Sequence, residues 1–284
     1  MSVKFGIHTF IWKKEFEGFE EEIFQQAKNW GFDGVEISTH LFESISPDKL
    51  KFYRDKYELE LTICTSTLPG LSMTSNVREL WQGSIDYITK VISFCQACDI
   101  TKLSGPLIHP VGYLSGSPLS VAEDKRLREG LKQVAYKLES TNVKLALEPL
   151  NRFQGYSLNT VEQGIDILKS IGSHQLGLLL DFFHMNIEEK SIPKSILKSG
   201  NSCFHVHVCA SDRGTPGSDS LDWNEVVKAF TSINYEDWVV IETFNFEDKE
   251  LSKGAHLWRA IDENSFKIAE NGINFLRKAF GEMY

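Results

Sequence analysis

Several features that would assign this chain to a class at once are missing from it. No apolar run approaches the roughly 18 residues of a membrane span. The amino terminus, MSVKFGIHTF, shows no long apolar stretch followed by a small-residue cleavage site, so no signal peptide is expected. Positive charge is scarce, with 30 Lys and Arg against 39 Asp and Glu and a net charge of −9. That balance offers no basic stripe to replace phosphate counterions and argues against a nucleic-acid partner. It argues equally against docking on an anionic membrane. Cysteine is sparse and odd in number, five residues at 64, 95, 98, 203 and 209. Scattered in this way, they read as reduced thiols of a cytoplasmic protein rather than as a disulfide framework. Cys95 and Cys98 form a C-x-x-C, but they lie in an amphipathic stretch where positions i and i+3 share a helix face, and no second Cys/His pair stands at zinc-finger spacing.

What is present is a repeating unit: a short β-branched or apolar run, then a helical pattern. No linker, charge block or low-complexity segment interrupts it. The runs predict strands at 3–9, 34–37, 60–64, 100–103, 143–147, 176–180, 203–208 and 238–241. Helices are predicted at 19–30, 47–57, 77–97, 122–140, 160–171 and 223–232, with Gly31 and Gly172 placed to stop two of them. Alternating β and α elements imply a parallel sheet, and eight strands with right-handed crossovers close most economically into a barrel. An open doubly wound sheet would normally carry G-x-G-x-x-G after its first strand, where this chain has His8-Thr-Phe-Ile-Trp12. The expectation is therefore α/β, a (β/α)8 TIM barrel in a single domain, 1–284, with a C-terminal helical extension.

Polar residues end the last four predicted strands. Lys144-Leu-Ala-Leu-Glu148 and Gly177-Leu-Leu-Leu-Asp181 end in carboxylates, Phe204-His-Val-His207 ends in imidazole, and Trp238-Val-Val-Ile-Glu242 ends in a carboxylate again. Their separations of 33, 26 and 35 residues each amount to about one βα unit. Side chains alternate between the two faces of a strand. With Leu145, Leu147, Leu178, Leu180, Val206, Val208, Val239 and Ile241 facing the helices, the four polar ends face inward, at the C-terminal mouth where barrel enzymes carry their active sites. Three carboxylates that close require a cation or protons between them. The expectation is one divalent ion held by Glu148, Asp181, His207 and Glu242. An O3N ligand set suits Mn²⁺ first, with Co²⁺ or Mg²⁺ as alternatives, over a thiolate-seeking metal. His205, one layer deeper, is expected to pack behind the site.

These residues resemble the xylose-isomerase-like barrels and, within them, the D-tagatose/D-psicose 3-epimerase family of ketose epimerases. The motifs that carry the resemblance are Leu147-Glu-Pro-Leu-Asn-Arg152, Asp181-Phe-Phe-His-Met-Asn-Ile-Glu188, His205-Val-His207 with Asp212-Arg-Gly-Thr-Pro-Gly217, and Ile241-Glu-Thr-Phe244. Gly31-Phe-Asp-Gly-Val-Glu-Ile-Ser38 and Gly105-Pro106 extend it over nearly the whole chain. The resemblance implies that Glu148 and Glu242 are both metal ligands and the acid/base pair, and that His184 and Arg213 contact the carbonyl end of the sugar. It also implies a homodimer or homotetramer. The chemistry agrees, since inverting a carbon beside a ketone needs one group to remove a proton and another to return it on the opposite face. His8, Trp12, Glu36, His109 and Tyr113 are expected as wall residues at strand ends, His8 and His109 among them reaching the substrate.

One position departs from the family pattern. Six residues after the first ligand glutamate the ketose 3-epimerases usually carry a second glutamate at the substrate's end, and here Gln154 stands there. Gln keeps the shape, drops the charge and becomes a donor as well as an acceptor. Arg213, if left without that partner, would be free to favour an anionic substrate. The leading expectation is C3 epimerisation of a free ketose through a cis-enediolate. The alternatives are an aldose–ketose or hydroxypyruvate-type isomerase and an inosose-type dehydratase using the same metal site. The endonuclease branch of the superfamily needs a histidine-rich metal cluster and a basic face, which eight histidines and a charge of −9 do not supply. A sugar-binding barrel without activity would leave two opposed carboxylates on one metal without a purpose.

Overall fold

A computed structural model describes residues 3–281. Its eight strands are all parallel and form one closed barrel, each strand hydrogen-bonded to the next and the last to the first. They are β1 (Lys4–His8), β2 (Gly34–Ser38), β3 (Glu60–Cys64), β4 (Lys102–Gly105), β5 (Lys144–Leu147), β6 (Leu176–Asp181), β7 (Cys203–Val208) and β8 (Trp238–Ile241). Around them lie α1 (Glu21–Trp30), α2 (Pro47–Tyr57), α3 (Arg78–Ala97), α4 (Val121–Leu138), α5 (Val161–Ile171), α6 (Phe182–Glu188), α7 (Ile192–Ser199), α8 (Trp223–Ser232), α9 (Lys249–Gly254) and α10 (Ser265–Gly281). The TIM barrel expected from the alternation of patterns is the fold observed. None of the helices among the described residues is long and apolar enough to cross a membrane.

Local signals set the ends of these elements. Ser120 with Glu123 and Thr160 with Gln163 form reciprocal capping boxes at the starts of α4 and α5. Gly31 and Gly172 adopt left-handed conformations, φ 86° and 76°, at the ends of α1 and α5. The first helix starts two residues later than predicted. The Glu20 carboxylate gathers the N–H groups of Glu17, Gly18 and Phe19 and holds that segment outside the helix. The fourth strand also begins later than predicted, at Lys102. Asp99 turns with φ 56° and the N–H of Ile100 donates back to Cys95 O at 2.8 Å, so the chain is still leaving α3 at residue 100. Residues 182–199 carry two helices that periodicity did not indicate, because each is only about two turns long. α10 packs against β1, β8, α1 and α8, completing the outer ring.

The alternation of side chains separates two interiors. Phe5, Ile7, Val35, Ile37, Leu61, Ile63, Leu103, Leu145, Leu147, Leu178, Leu180, Val206, Val208, Val239 and Ile241 join the apolar layer between strands and helices. Full burial of one such side chain contributes about 1.5–3 kcal/mol. The intervening positions fill the barrel itself, and many are polar: His8, Glu36, Thr62, Lys102, Ser104, His205 and His207 are all buried. At the floor, Lys102 reaches across from β4, donating to Asp237 Oδ2 at 2.6 Å and to Phe204 O at 2.8 Å. A register shift between Leu178 and Leu179 lets β7 run with one extra residue, and phase is recovered by His205 opposite Leu179 and His207 opposite Asp181.

Gly105, the last residue of β4, shows how closely the strands approach beneath the mouth. It has φ 129°, and a Cβ there would lie 2.1 Å from the Thr65 carbonyl oxygen. Gly105→Ala is expected to cost about 2 kcal/mol or more through backbone strain and overpacking. The readout is a lower urea midpoint at unchanged m value; an unchanged midpoint would contradict the close approach.

Candidate active site

Glu148 directly follows β5, Asp181 and His207 lie on β6 and β7, and Glu242 directly follows β8. The backbone ladder continues past both glutamates, with Glu148 N donating to Gly105 O and Glu242 N to Val208 O, each at 3.2 Å. These bonds fix the height of all four groups at the barrel mouth. All four are buried. One ligand atom from each of Glu148, Asp181 and His207 lies within 4.8 Å of the other two. His207 Nδ1 stands 3.7 Å from Asp181 Oδ2 and 3.6 Å from Glu242 Oε2 and has no hydrogen-bond partner.

Those separations are long for hydrogen bonds and stand only a few tenths of an ångström beyond the roughly 3–3.4 Å between ligands bonded at about 2.1 Å to one ion, so a small inward shift of the side chains would bring them around a common cation. An unpartnered, fully buried nitrogen among three carboxylates is a donor set for a divalent ion. The arrangement is thus a candidate site for one metal ion, and the residues present fit it.

Arg213 supplies the other positive charge. Its Nη1 donates to Asp181 Oδ2 and to Glu242 Oε2, each at 2.8 Å, and its guanidinium lies 4.2 Å above the Phe183 ring. The residue sits in the left-handed region at φ 71°, with its carbonyl held by Thr243 Oγ1 at 2.6 Å. A non-glycine residue there stores backbone strain, which the surrounding contacts must hold in place. Arg213 is therefore not left without a carboxylate partner, contrary to what Gln154 implied in the sequence, and it offers no unpaired cation to an anionic substrate. Burial raises the Glu148 carboxyl above its ordinary range, against the opposing influence of His184. Burial would raise Glu242 too, but Arg213 and His207 outweigh it and hold the group low. Asp181 follows the same pattern, driven well down chiefly by Arg213.

His184 is oriented by a contact that the sequence did not reveal. Its Nδ1 accepts from Asn151 Nδ2 at 2.8 Å and from the Asn151 N–H at 3.1 Å, so the ring proton belongs on Nε2, which points at Glu148 Oε1 3.4 Å away. The same Asn151 amide donates to Gln154 Oε1 at 3.2 Å. Asn151 thus links the substituted position to the histidine beside Glu148.

Glu148, Glu242, His184, Arg213 and Gln154 all face one cavity of about 240 Å³. Its other walls are Phe10, His40, Cys64, Ser66, Val111, Phe244 and Leu251 among others. Most of the expected wall residues lie elsewhere. His109 is stacked on Tyr156 at 5.3 Å with its Nδ1 near Pro110 O, and Tyr113 joins that cluster, though His109 also borders a small gap beside Glu148. Trp12 stacks on Trp30 and donates to Gln26. These three sit in loops, where strand phase says nothing about direction. His8 lies behind Glu242, its Nε2 3.7 Å from Glu242 Oε1, and Glu36 lies deeper still. A wider groove of about 760 Å³ opens between α7 and α8 on the barrel flank, but none of the four strand-end residues lines it.

With this geometry in view, the relatives are informative. A family model described as xylose isomerase-like TIM barrel matches residues 24–279. A protein of Synechocystis sp. described as a probable ketose 3-epimerase is 56% identical, over 98% of this chain and 97% of that one. D-psicose 3-epimerase of Enterocloster bolteae is 29% identical over 98% of this chain and 96% of its own. Among solved structures, an L-ribulose 3-epimerase superposes with a TM-score of 0.92 at 25% identity, covering 99% of this chain and 95% of that one. D-psicose 3-epimerase of Clostridium cellulolyticum, solved with D-tagatose, gives 0.91 at 25% identity, covering 98% and 99%. The chain belongs to the xylose isomerase-like TIM-barrel family and, within it, to the ketose 3-epimerases.

Proposed function

We propose that this enzyme, an isomerase, inverts C3 of a free ketose, with Glu148 and Glu242 exchanging the C3 proton and with Glu148, Asp181, His207 and Glu242 holding one divalent ion. The observation that carries the reading is the placement of two buried glutamates, three strands apart around an eight-stranded ring, on one small cavity. When bound, the ion supplies Lewis-acid polarisation of the ketose carbonyl. Mn²⁺ is the ion proposed, with Co²⁺ or Mg²⁺ able to serve, because the donors are three carboxylates and one imidazole.

The protein's own part begins with the ionised carboxylate, which the Arg213 guanidinium favours at Glu242. It takes the proton from C3. The electron pair of that C–H bond moves into C2–C3, and the carbonyl oxygen becomes an oxyanion, giving a cis-enediolate. Glu148, whose burial favours the protonated form, returns a proton to C3 from the other face. In the reverse direction the two exchange roles. Arg213 and the Nε2–H of His184 stabilise negative charge at the carbonyl end, and Gln154, tethered to Asn151, meets the sugar further along. A phosphorylated sugar is disfavoured, because the cavity's cations are already engaged: Lys14 with Glu250 at 3.9 Å and Arg213 with Asp181 and Glu242. His8 sits behind Glu242 and supports it from there. We place the enzyme in the cytoplasm, a reading supported by the five free, buried cysteines.

Two measurements test the chemistry. In D₂O, wild type is expected to wash deuterium into C3 of a ketohexose such as D-psicose or D-fructose, and Glu148→Gln and Glu242→Gln to lose that exchange by 10² fold or more, about the contribution of a positioned acid or base. Exchange persisting in both variants would refute the two-base scheme. Mn²⁺ at 100 times its Kd is expected to stabilise the fold by about 2.7 kcal/mol, seen as a raised Tm that EDTA reverses and that Asp181→Asn largely removes. A Tm indifferent to Mn²⁺ would refute the metal assignment.

We propose further that the enzyme forms a homodimer or homotetramer. Phe153 and Trp258, 68% and 75% exposed, border one groove beside the mouth, an apolar patch that monomers seldom leave uncovered. Light scattering is expected to give a multiple of the 32.3 kDa chain mass, reduced to one chain by Phe153→Asp with Trp258→Asp. A monomeric wild type would refute it.

A further inference from the structure

Among the described residues, Glu36 is the acidic side chain buried in the middle of the barrel. It is fully buried on β2, yet its partners come from the opposite side: Oε1 lies 2.5 Å from His207 Nε2 and Oε2 lies 2.7 Å from His205 Nε2, both on β7. Oε2 also accepts from Thr62 Oγ1 at 2.9 Å, and Ser104 Oγ stands 3.4 Å away. Barrel interiors are ordinarily filled by branched apolar side chains, and a carboxylate in that position is costly unless its lone pairs are met. Here they are met by donors converging from three strands.

We propose that Glu36 is a positioning residue that holds the His207 ring, through Nε2–H, so that the bare Nδ1 faces Asp181 and Glu242. The inference rests on His207 being a metal ligand. Rotating the imidazole by half a turn would present carbon to Glu36 on one side and to the carboxylates on the other, so the Glu36 contact selects the ring orientation. It also selects the tautomer. A carboxylate accepts only, and the proton on Nε2 leaves the lone pair on Nδ1. The negative charge behind the ring raises the basicity of the nitrogen in front of it, the role that outer carboxylates play toward metal-binding histidines. His205 Nε2 packs 2.7 Å from the second carboxylate oxygen, without hydrogen-bond alignment, and confines Glu36 on the side away from His207.

The experiment is a calorimetric titration of Mn²⁺ into wild type, Glu36→Gln and Thr62→Val, with circular dichroism to confirm folding. Glu36→Gln is expected to weaken Mn²⁺ affinity on the order of 10–100-fold. Thr62→Val, which removes a donor from Glu36 but leaves the His207 contact intact, is expected to stay near wild type. Long-range ¹H–¹⁵N spectra of the Mg²⁺-loaded wild type give a second readout that a merely structural role would not move: His207 is expected protonated at Nε2 and bare at Nδ1. Should Glu36→Gln fail to fold, Glu36→Asp, which keeps the charge but withdraws the carboxylate from the ring, takes its place in the titration, and Mn²⁺ affinity equal to wild type would overturn the inference. Unchanged Mn²⁺ affinity in folded Glu36→Gln, or a proton on His207 Nδ1, overturns the inference. A wild type that binds no Mn²⁺ overturns the metal-site reading itself, and this inference with it.

Discussion

Three carboxylates buried at one end of a barrel repel one another, and the organisation of this molecule follows from the need to neutralise them. Arg213 supplies one charge by bridging Asp181 and Glu242. The bare His207 nitrogen and the spacing of the oxygens around it provide for a metal ion to supply the rest. Each compensating group is itself held in place. Arg213 is fixed in a strained backbone conformation against Phe183 and Thr243, and His207 is held against Glu36. Charge, rather than apolar packing, thus dictates what fills the upper half of the barrel.

The same charges separate the roles proposed for the two glutamates. Glu148 shares its surroundings with a histidine and little else that is positive, whereas Glu242 lies beside Arg213 and His207. A symmetric environment would give two carboxyls of equal acidity and no preferred direction for the proton. Inversion needs the two carboxyls in opposite protonation states, which the unequal surroundings favour. That inequality is set by side chains on neighbouring strands, not by the glutamates themselves.

Much of this was legible in the sequence because strands impose a period of two. Once Leu145 and Leu147, or Val206 and Val208, are assigned to the helix side, the direction of Glu148 or His207 follows without a structure. Glu36 obeyed the same rule: Gly34-Val-Glu-Ile-Ser38 sets Val35 and Ile37 outward and the carboxylate inward. The signal was there, but its partner is on the far side of the barrel and 171 residues away, a distance no local pattern reports. Loop residues carry no such period. Trp12 and Tyr113 turn toward aromatic neighbours rather than the cavity, His109 stacks on Tyr156 while bordering a small gap beside Glu148, and Asn151 is found only once the turn after β5 brings its amide onto His184. The short helices at 182–199 escaped for a related reason, being too brief to repeat.

The closed ring places its parts unevenly. Every group proposed to handle protons or the ion comes from β5 to β8 and the loops beyond them, while Cys64 ends β3, and Phe10, His40, Ser66 and Val111 follow the first four strands; these five form only wall. The reacting groups are therefore confined to one half of one continuous sheet, while the loops of the other half contribute wall alone, the two bonded to each other where β1 meets β8 and where β4 meets β5. Divergence in the loops of the first half can reshape which sugar fits while the reacting groups stay where they are. In that sense the barrel is a modular tool, with a fixed head and an exchangeable grip.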